Sequence, residues 1–430
     1  REEQLASSEY IPPYPHPALK DVLGETLGVV IFQEQVIQVA QIIADFTAGE
    51  ADAFRRTLGR KSASTEIELY REHFLVHAQQ KDIPLHDAEN IFKNLVGFAE
   101  FGFPKSHGTA FALLAYQTAW LKYYYPSEFI CSLFNNQPMG FYPPHVLTND
   151  AKRHGISIKR PDINLSRARC QVDYGSQDNS IILGLGYVED VGLDVANKII
   201  LEREEAGVYK TLFEFIQRTA VPVTTVINLI MVGAFDEFGL NRRELIWHAG
   251  LFKDIPSILR NRTAESSDHQ LQLALDRHQD QIELNDFNSF EKMTLDYKLL
   301  KLSPDSHPMK FFRKKMDREL LSSRDLKDAP ADKIIKTAGL MVCRQRPSTA
   351  KGIVFLLLED EYGVVNVLLN PKLVEKNVLT VNTASFVQVT GYMDGAGAAS
   401  RTLVAQSIEP IAPYLLLATN QLSFKTKSWG

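Results

Sequence analysis

The spacing of apolar residues changes along this chain, and that change constrains the fold more than any other feature. In the first part of the chain the apolar side chains recur every three or four residues, as at Phe32, Val36, Val39 and Ile43, which is the period of an amphipathic helix. Between residues 337 and 410 they lie in short alternating or apolar runs separated by Gly, Pro and Asn, which is typical of β-strands. A chain of 430 residues also exceeds one ordinary domain. The sequence therefore predicts a multidomain α+β protein.

Composition and the positions of Pro and Gly divide the chain into five predicted segments. These are a mainly helical region (1–165), two compact helical units that follow short strands (166–250), a polar helical linker (251–335), a small barrel of about five strands (336–412) and a tail (413–430). Within the first segment, one predicted helix begins near Ser106 and ends at Tyr125, because Pro126 stops it. It is apolar on most sides, so we expect it to be the buried centre of a helical domain.

Composition also excludes several classes of protein. No apolar run approaches the roughly 18 residues that a membrane-spanning helix needs. The three cysteines form no Cys-x-x-Cys pair, so neither a disulfide framework nor a zinc site is indicated. The net charge of −5 conceals a basic C-terminal part, since residues 331–430 hold 10 Lys and Arg against 7 Asp and Glu. We therefore expect a cytoplasmic protein whose last domain can contact DNA locally.

One segment holds four cations within seven residues, among them Arg55, Arg56 and Lys61, with glycines nearby. Arginine supplies fork-shaped donors and lysine adds a point charge, so such a segment can hold a polyphosphate. The commoner alternative is a solvated helix end whose cations pair with Glu50 and Asp52. The residues alone favour that alternative.

A second candidate anion site lies at the start of the long apolar helix. Lys105, Ser106 and His107 form a turn there, where free backbone N–H groups and the positive end of the helix dipole meet two possible cations. In the alternative, Ser106 merely caps the helix and His107 packs locally. The two interpretations are about equally supported by the residues.

The segment 187–200 resembles a helix-hairpin-helix element, with Gly192 in the turn and Lys198 on the second helix. Such a hairpin presents backbone amides to a DNA phosphate without reading the sequence. Asp194 stands where a second glycine is usual, which adds a negative charge. A degenerate companion follows, with Arg243 just after its turn. The alternative is an ordinary pair of antiparallel helices.

The barrel segment resembles an OB-fold, a small barrel that pairs cations with aromatic platforms to bind single strands. Its candidate DNA-binding residues are Arg344, Lys351 and Phe355. The chain contains no Asp-x-Asp pair, no P-loop and no Gly-x-Ser-x-Gly turn. Two-metal chemistry needs carboxylates that hold both ions, so we predict no catalytic residue and no metal ligand in this sequence.

Together and in this order, the segments resemble a bacterial C-family DNA polymerase, the DNA polymerase III alpha subunit, in its error-prone branch. The resemblance covers about residues 14 to 411. It is carried by the segments 32–36, 49–56, 103–107, 113–118, 135–142, 150–155 and 344–352.

The resemblance implies a role for each candidate residue. Residues 1–165 would be the distal part of the polymerase fingers. The residues that would hold the triphosphate of the incoming dNTP are Arg55, Arg56, Lys61, Lys105 and His107. The tandem helix-hairpin-helix units would grip the template–primer duplex through Gly192, Lys198 and Arg243. The OB-fold would guide single-stranded DNA with Arg344, Lys351 and Phe355.

In this family the palm domain, with its catalytic aspartates, would precede residue 1. The resemblance therefore implies that this chain alone is inactive and that Mg²⁺ acts in the complete polymerase without binding this chain. It further implies DNA replication, repair and translesion synthesis in the bacterial cytoplasm, in association with the nucleoid. The implied partners are a palm-containing polypeptide, accessory proteins of damage tolerance and a sliding clamp, which residues 281–287 would contact, but no membrane.

Two other functions compete with a polymerase. A non-enzymatic DNA-binding protein could use the same hairpin and OB modules, and a tRNA-binding module can also join helices to an OB-fold. Residues 29–125 distinguish them, because neither alternative needs Arg55, Arg56, Lys105 and His107 in a polymerase-like context.

Overall fold

The computed structural model describes residues 14–59, 64–98, 103–140, 143–175, 179–251, 283–316, 319–331, 333–347, 350–394, 401–411 and 427–429. The chain divides into two compact units, Arg1–Tyr123 and Tyr124–Gly430, called here the N-terminal and C-terminal units. As the sequence predicts, the first is helical, and the second combines helices with a β-barrel.

Helices form the N-terminal unit. They are α1 (Lys20–Leu23), α2 (Gln33–Ala44), α3 (Ala48–Leu58), α4 (Ser64–Gln80), α5 (Leu85–Phe98) and α6 (Lys105–Tyr124). Their apolar stripes meet in one core, in which Phe54 stacks on Phe92 at 5.7 Å between ring centroids and Phe74 lies 5.4 Å from Phe92. This core fixes α3 against α5.

The start of α3 is set by a capping box. The Thr47 hydroxyl accepts a hydrogen bond from the backbone N–H of Glu50, and the Glu50 carboxylate accepts one from the backbone N–H of Thr47 at 2.8 Å. Because the helix starts at a defined residue, Arg55 and Arg56 fall in its last turn. The capping box thereby fixes the position of both arginines.

The prediction that the long apolar helix is a buried centre is wrong for this structure. No residue of α6 is buried, and its Phe111, Leu114 and Tyr116 side chains are exposed. The sequence pattern shows that a helix lacks a polar face, but it does not show which polypeptide covers it.

The C-terminal unit begins with helices around a small sheet. They are α7 (Pro126–Asn135), α8 (Pro144–Arg153), β1 (Ser157–Lys159), β2 (Gln171–Asp173), β3 (Ser180–Ile182), α9 (Gly192–Ala206), α10 (Leu212–Thr219), α11 (Val223–Met231) and α12 (Arg242–Leu251). In the sheet, β3 lies between β1, which is parallel to it, and β2, which is antiparallel. One core contains residues of α7 and α8 together with those of α9 to α12. The core thus groups α7 and α8 with the hairpin helices, whereas the predicted boundary lies at residue 165.

The predicted linker contains α13 (Ser289–Leu300), α14 (Pro308–Arg313) and the short β4 (Leu320–Leu321), and its residues 252–282 lie outside the described ranges. Arg160 holds α13 in place, because its guanidinium binds the buried carboxylate of Asp296 through two hydrogen bonds of 2.5 and 2.9 Å. The described part of this segment is therefore ordered against the helical core.

The barrel consists of β5 (Ile335–Gln345), β6 (Val354–Glu359), β7 (Val364–Leu369), β8 (Phe386–Asp394) and β9 (Thr402–Pro410), with α15 (Pro371–Lys376) and α16 (Val378–Thr383) between β7 and β8. The strand order is β5-β6-β7-β9-β8, and the long β5 closes the barrel by pairing with both β6 and β8. Only β7 and β9 pair in parallel among these five strands. This connectivity confirms the predicted OB-like barrel. In the predicted tail, β10 (Lys427–Trp429) pairs with β5.

A buried carboxylate joins the barrel to the helices of the same unit. Glu359, at the end of β6, is fully buried and accepts hydrogen bonds from Asn149 at 3.0 Å and Arg153 at 3.3 Å, both on α8. Its carboxylate also lies 3.8 Å from His307. A buried charge is stable only with such partners, so this contact fixes the barrel against α8.

None of the helices within the described ranges has the length and hydropathy that crossing a membrane requires.

Candidate nucleotide and nucleic-acid binding sites

Arg55 and Arg56 share one carboxylate on their own helix. Arg55 donates to Asp52 Oδ1 through Nε at 3.0 Å and Nη2 at 2.9 Å, and Arg56 Nη2 lies 2.7 Å from Asp52 Oδ2. The hydrogen bonds from Arg55 are the main cause that lowers the pKa of Asp52 below its ordinary value. A third donor of Arg55, Nη1, binds Gln33 Oε1 at 3.0 Å. Asp52 pairs with both arginines, as the alternative interpretation of this segment expects, and together with Gln33 it fixes the direction of Arg55.

A cavity of about 260 Å³ opens beside these arginines. Its lining residues are Gln33, Val36, Arg55, Arg56, Leu58, Gly59 and Phe98. Arg56 contacts Asp52 yet keeps 67% of its side chain exposed, so it can turn toward a ligand. Lys61 lies outside the described residues.

Lys105 is engaged by two carboxylates that the sequence gives no reason to expect. Its ammonium donates to both oxygens of Glu25 at 2.7 Å, and its backbone N–H donates to both oxygens of Glu34 at 3.1 and 3.0 Å. The start of α6 therefore already holds an anion, as its dipole favours, and that anion is the chain's own Glu34. Glu25 is 80 residues away along the chain, so only the fold reveals the pair.

His107 lies between two aromatic rings. Its ring centroid is 5.0 Å from that of Phe103 and 4.4 Å from that of Phe111. This is the local packing that the alternative interpretation expects. The imidazole remains exposed on one side, so the packing orients it without burying it.

The two predicted anion sites meet at the first turn of α2. The backbone of Phe32 forms a parallel bridge with Phe103, and the Gln33 N–H donates to the Phe103 carbonyl at 3.0 Å. Because Gln33 also holds Arg55, the arginines of α3 and Lys105 of α6 flank the same turn. The structure thus brings Arg55 and Arg56 to the same turn as Lys105, which lies 50 residues after Arg55 in the sequence.

In the helix-hairpin-helix region, Gly192 has a φ of 69° and is the first residue of α9. The preceding turn also holds Asp190 in the left-handed region, at a φ of 64°. A side chain at Gly192 would be strained in this conformation, which is why glycine suits the position. The backbone N–H groups of this turn lie at the start of α9, where the sequence predicts a turn.

Lys198 lies on the exposed side of α9, in a shallow depression. The lining of this depression includes the carboxylates of Asp194, Glu202 and Glu205, together with Arg218. Three carboxylates against two cations make the surroundings of Lys198 acidic. These carboxylates would repel a DNA phosphate that binds Lys198, so they weaken its predicted phosphate contact.

Arg243 is engaged within the chain. Its guanidinium lies 4.4 Å above the ring of Phe287, and its Nη2 donates to Glu291 at 3.0 Å. The predicted clamp segment is also held, because the Leu284 carbonyl accepts from Asn241 at 2.6 Å. Residues 281 and 282 of that segment lie outside the described ranges. Contact of Arg243 with DNA, or of Phe287 with a clamp, would require this packing to open.

A row of side chains crosses the outer face of the barrel. The strand registers place Gln345, Phe355, Leu368, Val404 and Tyr392 side by side on β5, β6, β7, β9 and β8. Phe355 is 37% exposed and Tyr392 is 39% exposed. With three strand spacings between them, the two rings are separated by roughly 14 Å. Phe355 is a candidate from the sequence alone, whereas only the strand register aligns Tyr392 with it.

The two cations predicted for the barrel lie elsewhere. Arg344 pairs with the buried Leu356, on the face opposite Phe355, and its Nη1 donates to the Val381 carbonyl at 2.7 Å. Lys351 lies exposed in the turn between β5 and β6, in the left-handed region with a φ of 48°. Lys351 is therefore open to solvent, whereas Arg344 caps a helix end.

Within the described ranges, no group of three or more His, Cys, Asp or Glu side chains is placed to hold a metal ion.

Two family models match this chain. The bacterial DNA polymerase III alpha subunit finger domain matches residues 6–82, which contain Arg55 and Arg56, and the helix-hairpin-helix motif matches residues 155–245. The error-prone DNA polymerase of Bdellovibrio bacteriovorus is 35% identical over 416 residues, which are 93% of this chain and 38% of that protein. This chain corresponds to a C-terminal portion of a C-family error-prone DNA polymerase.

Other relatives have the same description. The error-prone DNA polymerase of Anaeromyxobacter sp. is 33% identical over 407 residues (93% of this chain, 35% of the relative), and that of Mycolicibacterium paratuberculosis is 34% identical over 406 residues (92% and 35%). The chain thus spans little more than a third of the length of the curated relatives it matches.

Among solved structures, two of asparaginyl-tRNA synthetase from Pyrococcus horikoshii are similar to a small part of the chain. The first has a TM-score of 0.19 at 20% identity and covers 23% of this chain and 28% of the other. The second, complexed with asparaginyl-adenylate, has a TM-score of 0.20 at 19% identity and covers 26% and 30%. Structural similarity this low indicates neither a shared fold nor a shared function.

Proposed function

We propose that this polymerase portion binds the triphosphate of the incoming dNTP and the template–primer DNA, while the rest of the polymerase supplies the catalytic palm and its Mg²⁺. The observation that carries the proposal is the convergence of Arg55, Arg56 and Lys105 on one turn of α2, beside a cavity.

The arrangement gives each cation a different part in binding. Arg55 is held by Asp52 and Gln33 and presents a guanidinium of fixed direction. Arg56 is the adaptable member, because most of its side chain is exposed. Lys105 contributes to nucleotide binding only when a phosphate replaces the Glu25 carboxylate as the acceptor of its ammonium. Charge-assisted hydrogen bonds to phosphate are stronger than neutral ones, so this exchange can favour the nucleotide.

The test is a fluorescence titration of this chain with a mant-labelled dATP. Loss of one charge-assisted hydrogen bond costs about 1.5–3 kcal/mol, so Arg56→Ala should weaken binding about tenfold or more. Arg71→Ala is the matched control, since Arg71 is a half-buried arginine of the same unit, outside the cavity and paired with Glu68 and Glu89. Equal affinity of Arg56→Ala and the wild type would remove the triphosphate role.

The DNA part of the proposal has two surfaces. The amide turn at Gly192 is the candidate contact to duplex phosphates. The row on the barrel, with Phe355 and Tyr392, is the candidate stacking platform for single-stranded bases. Stacking on one aromatic side chain contributes about 1–3 kcal/mol per base, so each ring is worth at least a severalfold change in affinity.

Fluorescence anisotropy with a labelled oligo(dT) tests the barrel surface. Phe355→Ala and Tyr392→Ala should each reduce affinity at least fivefold. Leu379→Ala should leave affinity unchanged, because Leu379 is an exposed apolar residue of α16 outside the row. If all three variants bind alike, the row is not the binding surface.

The relatives' description, error-prone DNA polymerase, supports a role in error-prone DNA synthesis. We further propose that this synthesis serves DNA repair and translesion synthesis in the bacterial cytoplasm at the nucleoid, with a clamp and accessory proteins as partners. A chain that binds DNA normally but shows no nucleotide binding would instead support the non-enzymatic DNA-binding function.

A further inference from the structure

The helix α6 exposes apolar side chains around its whole circumference. Phe111 is 57% exposed, Leu113 57%, Leu114 55%, Tyr116 70% and Leu121 44%. At about 100° per residue, these positions leave one sector of about 140° free, and the exposed Ala112, Ala115 and Ala119 fill that sector. A helix that is apolar all round is normally buried in a core or in a membrane, and α6 does not meet the requirements for crossing a membrane.

Charge argues against DNA as the main occupant of this helix. Apart from tyrosine, the only ionisable side chains of α6 are Lys105, His107 and Lys122. The two lysines are 17 residues apart, or about 25 Å along the helix. Duplex DNA carries a charge about every 1.7 Å of its axis, so it would meet far too few cations here.

Symmetry argues against a second copy of the chain. A two-fold dimer packs the same patch of each copy together and covers one stripe of each helix. The exposed residues of α6 occupy every side, so their cover must surround the helix, as the interior of a domain does.

We propose that α6 is the surface on which this chain docks into the part of the error-prone polymerase that the chain does not cover. More than half of each relative's length lies outside the matched portion, which is enough polypeptide to form a surrounding core. The proposal rests on the family assignment and needs neither nucleotide nor DNA. It assigns α6 an apolar partner that encloses the segment from Phe111 to Leu121.

Cysteine labelling tests this docking directly. Leu114→Cys and the control Leu379→Cys are each placed in the chain with Cys343 replaced by serine, where the remaining Cys131 and Cys170 are buried. The probe partner is the Bdellovibrio bacteriovorus error-prone DNA polymerase with its matched portion deleted, used only as a monodisperse preparation that shows a cooperative thermal unfolding transition. Maleimide labelling of both cysteines should be fast in the isolated monomer. Adding the partner should slow labelling at position 114 at least tenfold and leave position 379 unchanged.

Three results would overturn the proposal. Slow labelling at position 114 in the isolated monomer would mean that this chain covers its own helix. Labelling that slows as the chain alone is concentrated would indicate a second copy. Unchanged labelling with the partner would mean that no docking occurs at α6.

A second variant separates docking from folding. Leu114→Asp should abolish co-elution with the partner in gel filtration while the circular dichroism of the chain stays unchanged, and Leu379→Asp should co-elute normally. Because the assay contains neither dNTP nor DNA, its failure would leave those two proposals intact.

Discussion

His145 is expected to make the C-terminal unit lose stability in mildly acidic solution. The residue lies at the start of α8 with only 6% of its surface exposed, and its ring centroid is 6.1 Å from that of Tyr297. Burial lowers the pKa of His145 from 6.5 to about 4; the Glu359 carboxylate opposes this shift, and His307 adds to it. The folded protein therefore keeps this imidazole neutral at a pH where the unfolded chain protonates it.

The direction and size of the effect follow from that difference. Between pH 6.5 and pH 4 the unfolded state binds more protons, so this contribution to stability is complete above pH 6.5 and is lost as the pH falls toward 4. The full difference corresponds to roughly 3 kcal/mol, and about 2 kcal/mol of it is lost by pH 5. The pKa of Glu359 is lowered from 4.5, so its own contribution disappears only below that value. Glu359 does not disturb a comparison of pH 7.5 with pH 5.

The assay is urea unfolding at pH 7.5 and pH 5.0, followed by the fluorescence of Trp247 with Trp120 and Trp429 replaced by phenylalanine. Trp247 lies on α12, which contributes to the same core as α8. His145→Gln should remove about 2 kcal/mol of the difference between the two pH values. His154→Gln is the control, because this histidine lies exposed just after the same helix. An unchanged pH dependence in His145→Gln would refute the reasoning.

Other consequences concern the barrel and its attachment. A Cβ added at Gly391 would lie 2.1 Å from the Val404 carbonyl oxygen, so Gly391→Ala should destabilise the barrel by about 3 kcal/mol in urea unfolding, while Gly250→Ala, where a Cβ meets nothing within 4 Å, should not. Glu359→Ala removes the buried acceptor of Asn149 and Arg153 and should cost about 1–3 kcal/mol in the same assay, because Arg153 keeps Asp150 as a partner. DNA affinity should fall steeply with salt and vary little with sequence; a flat salt response would contradict binding through phosphates.

The sequence was sufficient wherever one segment determines its own structure. The helical period and the position of Pro126 predict the bounds of α6 closely, because capping and periodicity act within a few residues. The alternation of the barrel strands predicts an OB-like fold, which the strand order confirms. The motif segments likewise identify the family, since several long motifs in the same order rarely match by chance.

The contacts of the candidate site could not be predicted from the sequence, because they join residues that are far apart in the chain. Glu25 holds Lys105 across 80 positions, and Tyr392 joins the row of Phe355 only through the registers of three further strand pairs. The sequence shows which residues can act as cations or as aromatic stacking platforms. It does not show which carboxylate of the chain already pairs with a given cation.

The helix α6 shows where the two kinds of information separate. Its sequence alone determined a helix without a polar face, because the spacing of its side chains fixes that property locally. Whether such a helix is buried depends on the polypeptide around it, and the structure shows it exposed in this chain. Burial is a property of a whole assembly, whereas helical periodicity is a property of a segment.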